Sequence, residues 1–176
     1  LAGALPPVAG RALIDGRDAT AADVGRLVAV TAEDAHLFGT SVVENLRVAD
    51  GALTDEGALE ALREVGANAW VNGLPEGLDT PIGDGGGTVS GGERRRLLLA
   101  RALVHPAPVQ LLDEPAEHLD DAGVETLEQT LSAAAGQHRS IVVVTHDLAL
   151  TRHVDRVLDM DSLEQTEPDS TAATDE

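Results

Sequence analysis

Cysteine is absent, and so is lysine; all twelve basic residues are arginine. Without cysteine no disulfide and no thiolate metal site can form. Aromatic residues are nearly missing, with Phe38 and Trp70 the two present. A core must therefore be built from Leu, Val, Ile and Ala. Basic charge is scarce and the net charge is -19. Nucleic acid is not an expected partner, because phosphate binding needs a basic face. No apolar run approaches the ~20 residues that cross a bilayer. The opening Leu1-Ala2-Gly3-Ala4-Leu5-Pro6-Pro7 has no basic segment and no initiator Met. It reads as an internal boundary, not a signal peptide.

What is present supports one domain. The 176 residues are 43% hydrophobic, enough for a real core. Residues 1–5 read as a last helical turn, stopped by Pro6-Pro7. Residues 11–16 read as a short strand ending in a turn, 23–27 as a helical turn and 27–31 as a second strand. Ser41 with Glu44 three later predicts a helix start. Thr54 and Asp55 open an amphipathic helix to about residue 65, with Ala58, Leu59, Leu62 and Val65 at helical spacing. A short helix over 67–71, a turn-rich 74–81 and a flexible glycine loop at 83–88 follow. The pattern then predicts a helix over 90–104, with Arg94, Arg95 and Arg96 near its start. A strand over 109–112 is expected to be buried on both faces. A helix over 121–134, a strand over 140–145, a helix over 148–153 and a last strand over 154–158 complete the order. Residues 160–176 are acidic and patternless and read as a disordered tail. Strands alternating with helices imply an α/β fold with a parallel, helix-covered sheet.

Two stretches carry the chemistry. Ser90-Gly91-Gly92-Glu93 opens a long helix, whose N-terminal N–H groups favour phosphate. The glycines allow close backbone approach, and Ser90 adds a hydroxyl. The bland reading is a capping box made by Ser90 and Glu93, and the two readings are compatible. About twenty residues later, Leu111-Leu112-Asp113-Glu114-Pro115 places two carboxylates at the carboxyl end of a strand. Ligands bind at that end of open parallel sheets. The bland alternative is two solvated acids.

Together these stretches resemble the signature motif and Walker B strand of ATP-binding cassette (ABC) ATPases, and the order of the remaining elements extends the resemblance over residues 1–159. The resemblance implies a P-loop NTPase (RecA-like) core with an α-helical subdomain over about 41–105, and ATP and Mg²⁺ as cofactors. Asp113 would hold Mg²⁺ through water, and Glu114 would polarise the attacking water. Val144-Thr145-His146-Asp147 resembles the switch loop, with His146 in reach of a γ-phosphate; singly, such a His is more often structural. Ala116-Glu117-His118-Leu119-Asp120 resembles the D-loop, where Asp120 also suits helix capping. Glu33 stands where the family's Q-loop has Gln, so a carboxylate could touch Mg²⁺ there. Phe38 and the helix from Ser41 would face a transmembrane partner; the plain alternative for Phe38 is core filling. His36, His105, His118, His138 and His153 share no metal-ligand spacing.

The spacing resembles exporters whose ATPase is fused to membrane helices. Gly91-Gly92-Glu93-Arg94-Arg95-Arg96-Leu97 and Pro115-Ala116-Glu117-His118-Leu119-Asp120 resemble the CydC-type subunit of the thiol-reductant exporter for cytochrome bd assembly. The resemblance implies a parent on the cytoplasmic face of the bacterial plasma membrane, with a membrane domain and a second ABC ATPase domain as partners. Walker A, Gly-x-x-x-x-Gly-Lys-[Ser/Thr], is expected upstream of Leu1, since the chain has no Lys. In the family each nucleotide is sandwiched between the Walker motifs of one domain and the signature of the other. Ser90, Gly91 and Gly92 would then serve a partner's site in trans. Two other readings compete: a degenerate, non-catalytic domain lending its signature, and a chromosome-maintenance or repair ATPase. The second would need a long coiled coil before the signature, and no heptads lie there.

Overall fold

A computed structural model describes residues 10–11, 13–14, 16–18, 21–83, 86–136 and 139–160. The expected first helix at 1–5 and the tail beyond Met160 lie outside the described residues.

Two short strands, β1 (Leu13–Ile14) and β2 (Arg17–Asp18), pair antiparallel as a hairpin. The predicted strand at 11–16 is thus one arm of a hairpin, and its partner arm was not anticipated. Gly16 sits at the turn with φ of 75°, a conformation that glycine adopts without strain. Helix α1 (Ala21–Leu27) leads directly into β3 (Val28–Thr31).

The main sheet has three parallel strands in the order β3–β4–β5, with β4 at Val109–Asp113 and β5 at Ser140–Val144. Val28 pairs with Val109, and Val109 with Ser140, so the three strands run in step. Between β3 and β4 come α2 (Val42–Arg47), α3 (Asp55–Glu64), α4 (Asn68–Gly73) and α5 (Gly91–Val104). Between β4 and β5 comes α6 (Asp121–Ala135).

Four helix starts are set by local chemistry. The side-chain oxygens of Ser41, Thr54, Ser90 and Asp120 accept from the backbone N–H three residues on. Each such cap stabilises its helix by about 1 kcal/mol. At Ser41 only half of the box forms. The Glu44 carboxylate turns instead to Arg47, 2.8 Å away.

The best-buried side chains lie among the helices, not on the sheet. Leu37, Val42, Leu46, Leu62, Leu97 and Leu98 are essentially sealed from solvent. Of the predicted stripe, Ala58, Leu62 and Val65 are buried, but Leu59 is exposed and Ala61 takes its place. The glycine loop is tied rather than loose where it is described. Gly83 N donates to Thr88 Oγ1 at 2.9 Å, and Gly86 N to Gly83 O at 2.8 Å. Gly86 has φ of 76°, and a Cβ there would sit 3.1 Å from the Leu37 side chain.

Two expectations fail. β4 is covered on one face, not both. Gln110 and Leu112 point into the helices, whereas the row Val30–Leu111–Val142 lies on the opposite, open face. Val30, Val142 and Val144 are exposed because no described element packs there. The expected strand at 154–158 does not form. Val154, Val157 and Leu158 stay exposed with no strand beside them, and an apolar run needs a partner's backbone to become a strand. Residues Leu148–His153 are helical as expected, but as a tighter 3-10 helix.

Candidate functional site

The parallel order brings the ends of β4 and β5 together. Asp113 ends β4 opposite Val144 in β5, and Glu114 N donates to Val144 O at 2.9 Å. Glu114 then leaves the sheet with φ of 44°, unusual for a residue with a side chain. That turn aims its carboxylate at the loop after β5. Thr145 Oγ1 donates to Oε2 at 3.0 Å, and His146 N to Oε1 at 3.1 Å. His146 Nδ1 lies 2.8 Å from Oε1. Glu114 and His146, far apart in sequence, therefore share one hydrogen-bonded cluster.

Burial alone would raise the Glu114 carboxyl, but the hydrogen bonds from His146, Thr145 and the His146 backbone outweigh it and hold the group below its ordinary value. The bond to Glu114, then its charge, raises the His146 imidazole above its ordinary 6.5. The stability that His146 gains is complete below 6.5 and is lost as pH rises through its raised value. The part from Glu114 is present above 4.5 and is lost as pH falls through its depressed value. The pair is thus firmest between 4.5 and 6.5. In an NMR titration of the chain, the His146 ring is expected to show a midpoint above 6.5 that drops in Glu114→Gln. An equal midpoint in both proteins would contradict the pairing.

At the other stretch, the capping box is complete. Ser90 Oγ accepts from Glu93 N at 3.2 Å, and Glu93 Oε2 accepts from Ser90 N at 2.8 Å. This uses an acceptor of Ser90 and leaves its O–H to donate elsewhere. Ser90 and Gly91 are exposed at the start of α5. The N-terminal end of this 14-residue helix is thus open to an approaching anion.

Sequence reading missed what fastens this helix start to the loop after β4. Arg95 is 5% exposed and donates to Glu117 O and to Glu117 Oε2, each at 3.3 Å. Arg96 reaches Asp120 Oδ1 at 3.3 Å, the same oxygen that caps α6. The signal was available. Arg95 is spaced three, four and seven residues before Leu98, Leu99 and Ala102, on the apolar face of α5. His118, with φ of 64°, lays its ring against Gly91, where a Cβ would come within 3.4 Å.

Glu33 joins this group. The Glu117 carboxyl, through hydrogen bonding and then its charge, pushes the Glu33 carboxyl above its ordinary value; burial and the Asp113 charge add to this, and Arg95 opposes it. A cavity of about 280 Å³ is bounded by Glu33, Gly91, Arg94, Arg95, Glu117 and His118. Among the described residues no cluster of three His, Asp or Glu side chains is set to hold a metal. Asp113 could give Mg²⁺ one carboxylate, with phosphate and water supplying the remaining oxygens. Phe38 is 43% exposed and is therefore not a core filler.

Comparison with known proteins agrees with this architecture. The family model described as ABC transporter matches residues 1–117. The chain is 38% identical over 164 residues to the mycobactin import ATP-binding/permease protein IrtB of Mycolicibacterium smegmatis, covering 92% of this chain and 28% of that protein. It is 36% identical to an ATP-dependent lipid A-core flippase of Albidiferax ferrireducens, covering 89% and 27%. A mitochondrial potassium channel ATP-binding subunit of Pongo abelii is 34% identical, with 88% and 22% covered. The chain thus spans about a quarter of the length of these relatives. The structure of a bacterial Atm1-family ABC exporter with ATP bound superposes with a TM-score of 0.74 at 29% identity, covering 81% of this chain and 25% of that one. With its parallel sheet, its capped helix start and a matching model over residues 1–117, the chain belongs to the ABC transporter family and has the P-loop NTPase fold of that family.

Proposed function

We propose that this chain is ATPase machinery of an ABC exporter, coupling ATP binding and hydrolysis to movement of a solute across a membrane. The observation that carries the reading is the joining of Glu114, Thr145 and His146 at the carboxyl end of the sheet. Here Glu114 orients the attacking water and His146 contacts the γ-phosphate. Asp113 holds Mg²⁺ through water, with Glu33 beside it. Ser90, Gly91 and Gly92, with Glu93 bracing the cap, complete a nucleotide site on a second ABC domain. Asp120 lies at the interface between the two domains.

The partners in this reading are a transmembrane domain and a second ATPase domain, at the cytoplasmic face of a bacterial membrane. Among the described residues no helix is long and apolar enough to cross a membrane. For the cargo, the run from Gly91 to Leu97 and the run from Pro115 to Asp120 favour a thiol reductant. None of the relatives compared above is named for that cargo.

The P-loop supplies most phosphate contacts in such a site, and these 176 residues hold no lysine to build one. The purified chain is therefore expected to show no multiple turnover of Mg-ATP. Turnover that Glu114→Gln abolishes would overturn this. Paired with a second ABC domain carrying an intact P-loop, the chain is expected to associate in an ATP-dependent way. Ser90→Glu should weaken that association by about tenfold or more, because a carboxylate would face the phosphate. Association that ignores both ATP and Ser90→Glu, measured by light scattering, would sink the trans role.

A further inference from the structure

The two carboxylate oxygens of Glu114 are not equivalent. Oε1 meets His146 N at 3.1 Å and His146 Nδ1 at 2.8 Å. A carboxylate oxygen has about two lone-pair sites, so His146 fills both of them. Oε2 accepts from Thr145 Oγ1 at 3.0 Å. Among the described residues this is its one hydrogen bond, and a lone pair on Oε2 is left for another donor.

The direction of the Thr145 hydroxyl is fixed from both sides. Thr145 Oγ1 accepts from Asp147 N at 3.0 Å. A hydroxyl has one proton, and with Asp147 N on one side that proton faces Glu114. The β-branched side chain has few rotamers in which to escape. Its backbone is fixed as well. Thr145 follows the last residue of β5 as Glu114 follows the last residue of β4, and those last residues, Val144 and Asp113, are partners in register. Glu114 N donates to Val144 O at 2.9 Å beside them. The hydroxyl thus stands on a sheet end and not on a free loop.

We infer that Thr145 is a positioning residue for hydrolysis: it orients Glu114 so that Oε2, and not Oε1, takes the proton of the attacking water. The inference rests on the proposed ATPase reading and goes beyond it, naming the receiving oxygen and the side chain that aims it. In the step, the water oxygen bonds to the γ-phosphorus as the bond from that phosphorus to the β–γ bridging oxygen breaks. The bridging oxygen leaves on ADP with the bonding electron pair, and one water proton passes to Oε2. Without the hydroxyl the carboxylate is held at Oε1 alone. The terminal torsion of a Glu side chain has a broad, shallow profile, so Oε2 then wanders and fewer encounters with water are aligned. Nucleotide binding does not depend on that bond.

The test has two arms. In the full 176-residue chain, amide hydrogen exchange at Asp147 is expected to quicken about fivefold or more in Thr145→Val, which has no acceptor for it. Thr145→Ser should exchange near the original rate. In an assembled transporter with a complete P-loop, Thr145→Val is expected to lower kcat about tenfold with KM unchanged. Thr145→Ser should recover most of that loss. In a Glu114→Gln background, Thr145→Val should cost less than about twofold more, because both changes disable one unit. Exchange of the β4 and β5 amides shows whether Thr145→Val folds, and Thr145→Ala serves in its place where it does not. Equal kcat losses in the Val and Ser variants would overturn the inference. So would a tenfold loss that persists in the Glu114→Gln background, a rise in KM in place of the fall in kcat, or unaltered exchange at Asp147. Hydrolysis retained in Glu114→Gln removes the ATPase reading and this inference together. Full hydrolysis in Thr145→Val beside an inactive Glu114→Gln removes the inference alone.

Discussion

Asn45→Ala is expected to lower the unfolding free energy by about 2–3 kcal/mol. Asn45 is wholly buried. Its Oδ1 accepts from Phe38 N at 2.9 Å, and its Nδ2 donates to Phe38 O at 3.1 Å and to Ser41 O at 3.0 Å. One side chain therefore closes the segment between β3 and α2, with both polar groups of the Phe38 backbone in its grip. Alanine would strand Phe38 N beside the sealed Leu37, at a cost of about 1–3 kcal/mol, whereas Phe38 O keeps its bond from Thr40 N at 2.7 Å. The removed amide also leaves a void next to Val42 and Leu46. Urea unfolding with a fixed m-value measures the loss. A change within about 0.5 kcal/mol would refute this account. Asn45→Asp should also destabilise at neutral pH, because it loses both Nδ2 bonds and buries a charge. Its penalty should ease as pH falls and the carboxyl takes a proton.

Glu114→Gln in an assembled transporter with a complete P-loop is expected to reduce kcat for ATP hydrolysis by about 10²–10⁴-fold, with little change in KM. The Glu114 carboxylate accepts from Thr145 Oγ1 and His146 N, and its Oε1 lies against His146 Nδ1. An amide has one acceptor oxygen, so its NH₂ must face one of these donors. It also cannot take up a proton from water, while Asp113 and the start of α5 stay as they were. ATP-dependent association of the two domains should therefore persist. Steady-state phosphate release, beside nucleotide affinity, separates the two effects. Hydrolysis retained within about threefold would remove Glu114 from the proposed chemistry.

The elements most legible in the sequence are those decided within a few residues. Ser41, Thr54, Ser90 and Asp120 announce helix starts because a cap joins a side chain to an amide three positions away. The same holds for β4, whose Leu111-Leu112-Asp113-Glu114 order marks a strand with acids at its end. Less legible is whatever needs a distant partner. Residues 154–158 have strand composition but no neighbouring strand. The β1–β2 pairing rests on a turn at Gly16 that propensity alone did not reveal. In the sequence Arg95 is one of three arginines near a helix start. Its burial follows from the face of α5 that meets Glu117, and that face is set by packing.

By itself, the sequence determined the α/β class, and it supplied the motif order and the residues proposed to carry nucleotide chemistry. These rest on short-range spacing: caps, turns and the polarity of a strand end. The tertiary structure alone decided which of those residues meet. Parallel pairing of β4 with β5 set Glu114 against Thr145 and His146 across 32 positions of sequence. Packing of α5 fastened the Ser90 helix start to the loop at Glu117 and Asp120. It also set Arg101 against the carbonyl of His36. Strand register and helix rotation are fixed by the summed burial of many side chains, so no local stretch encodes them.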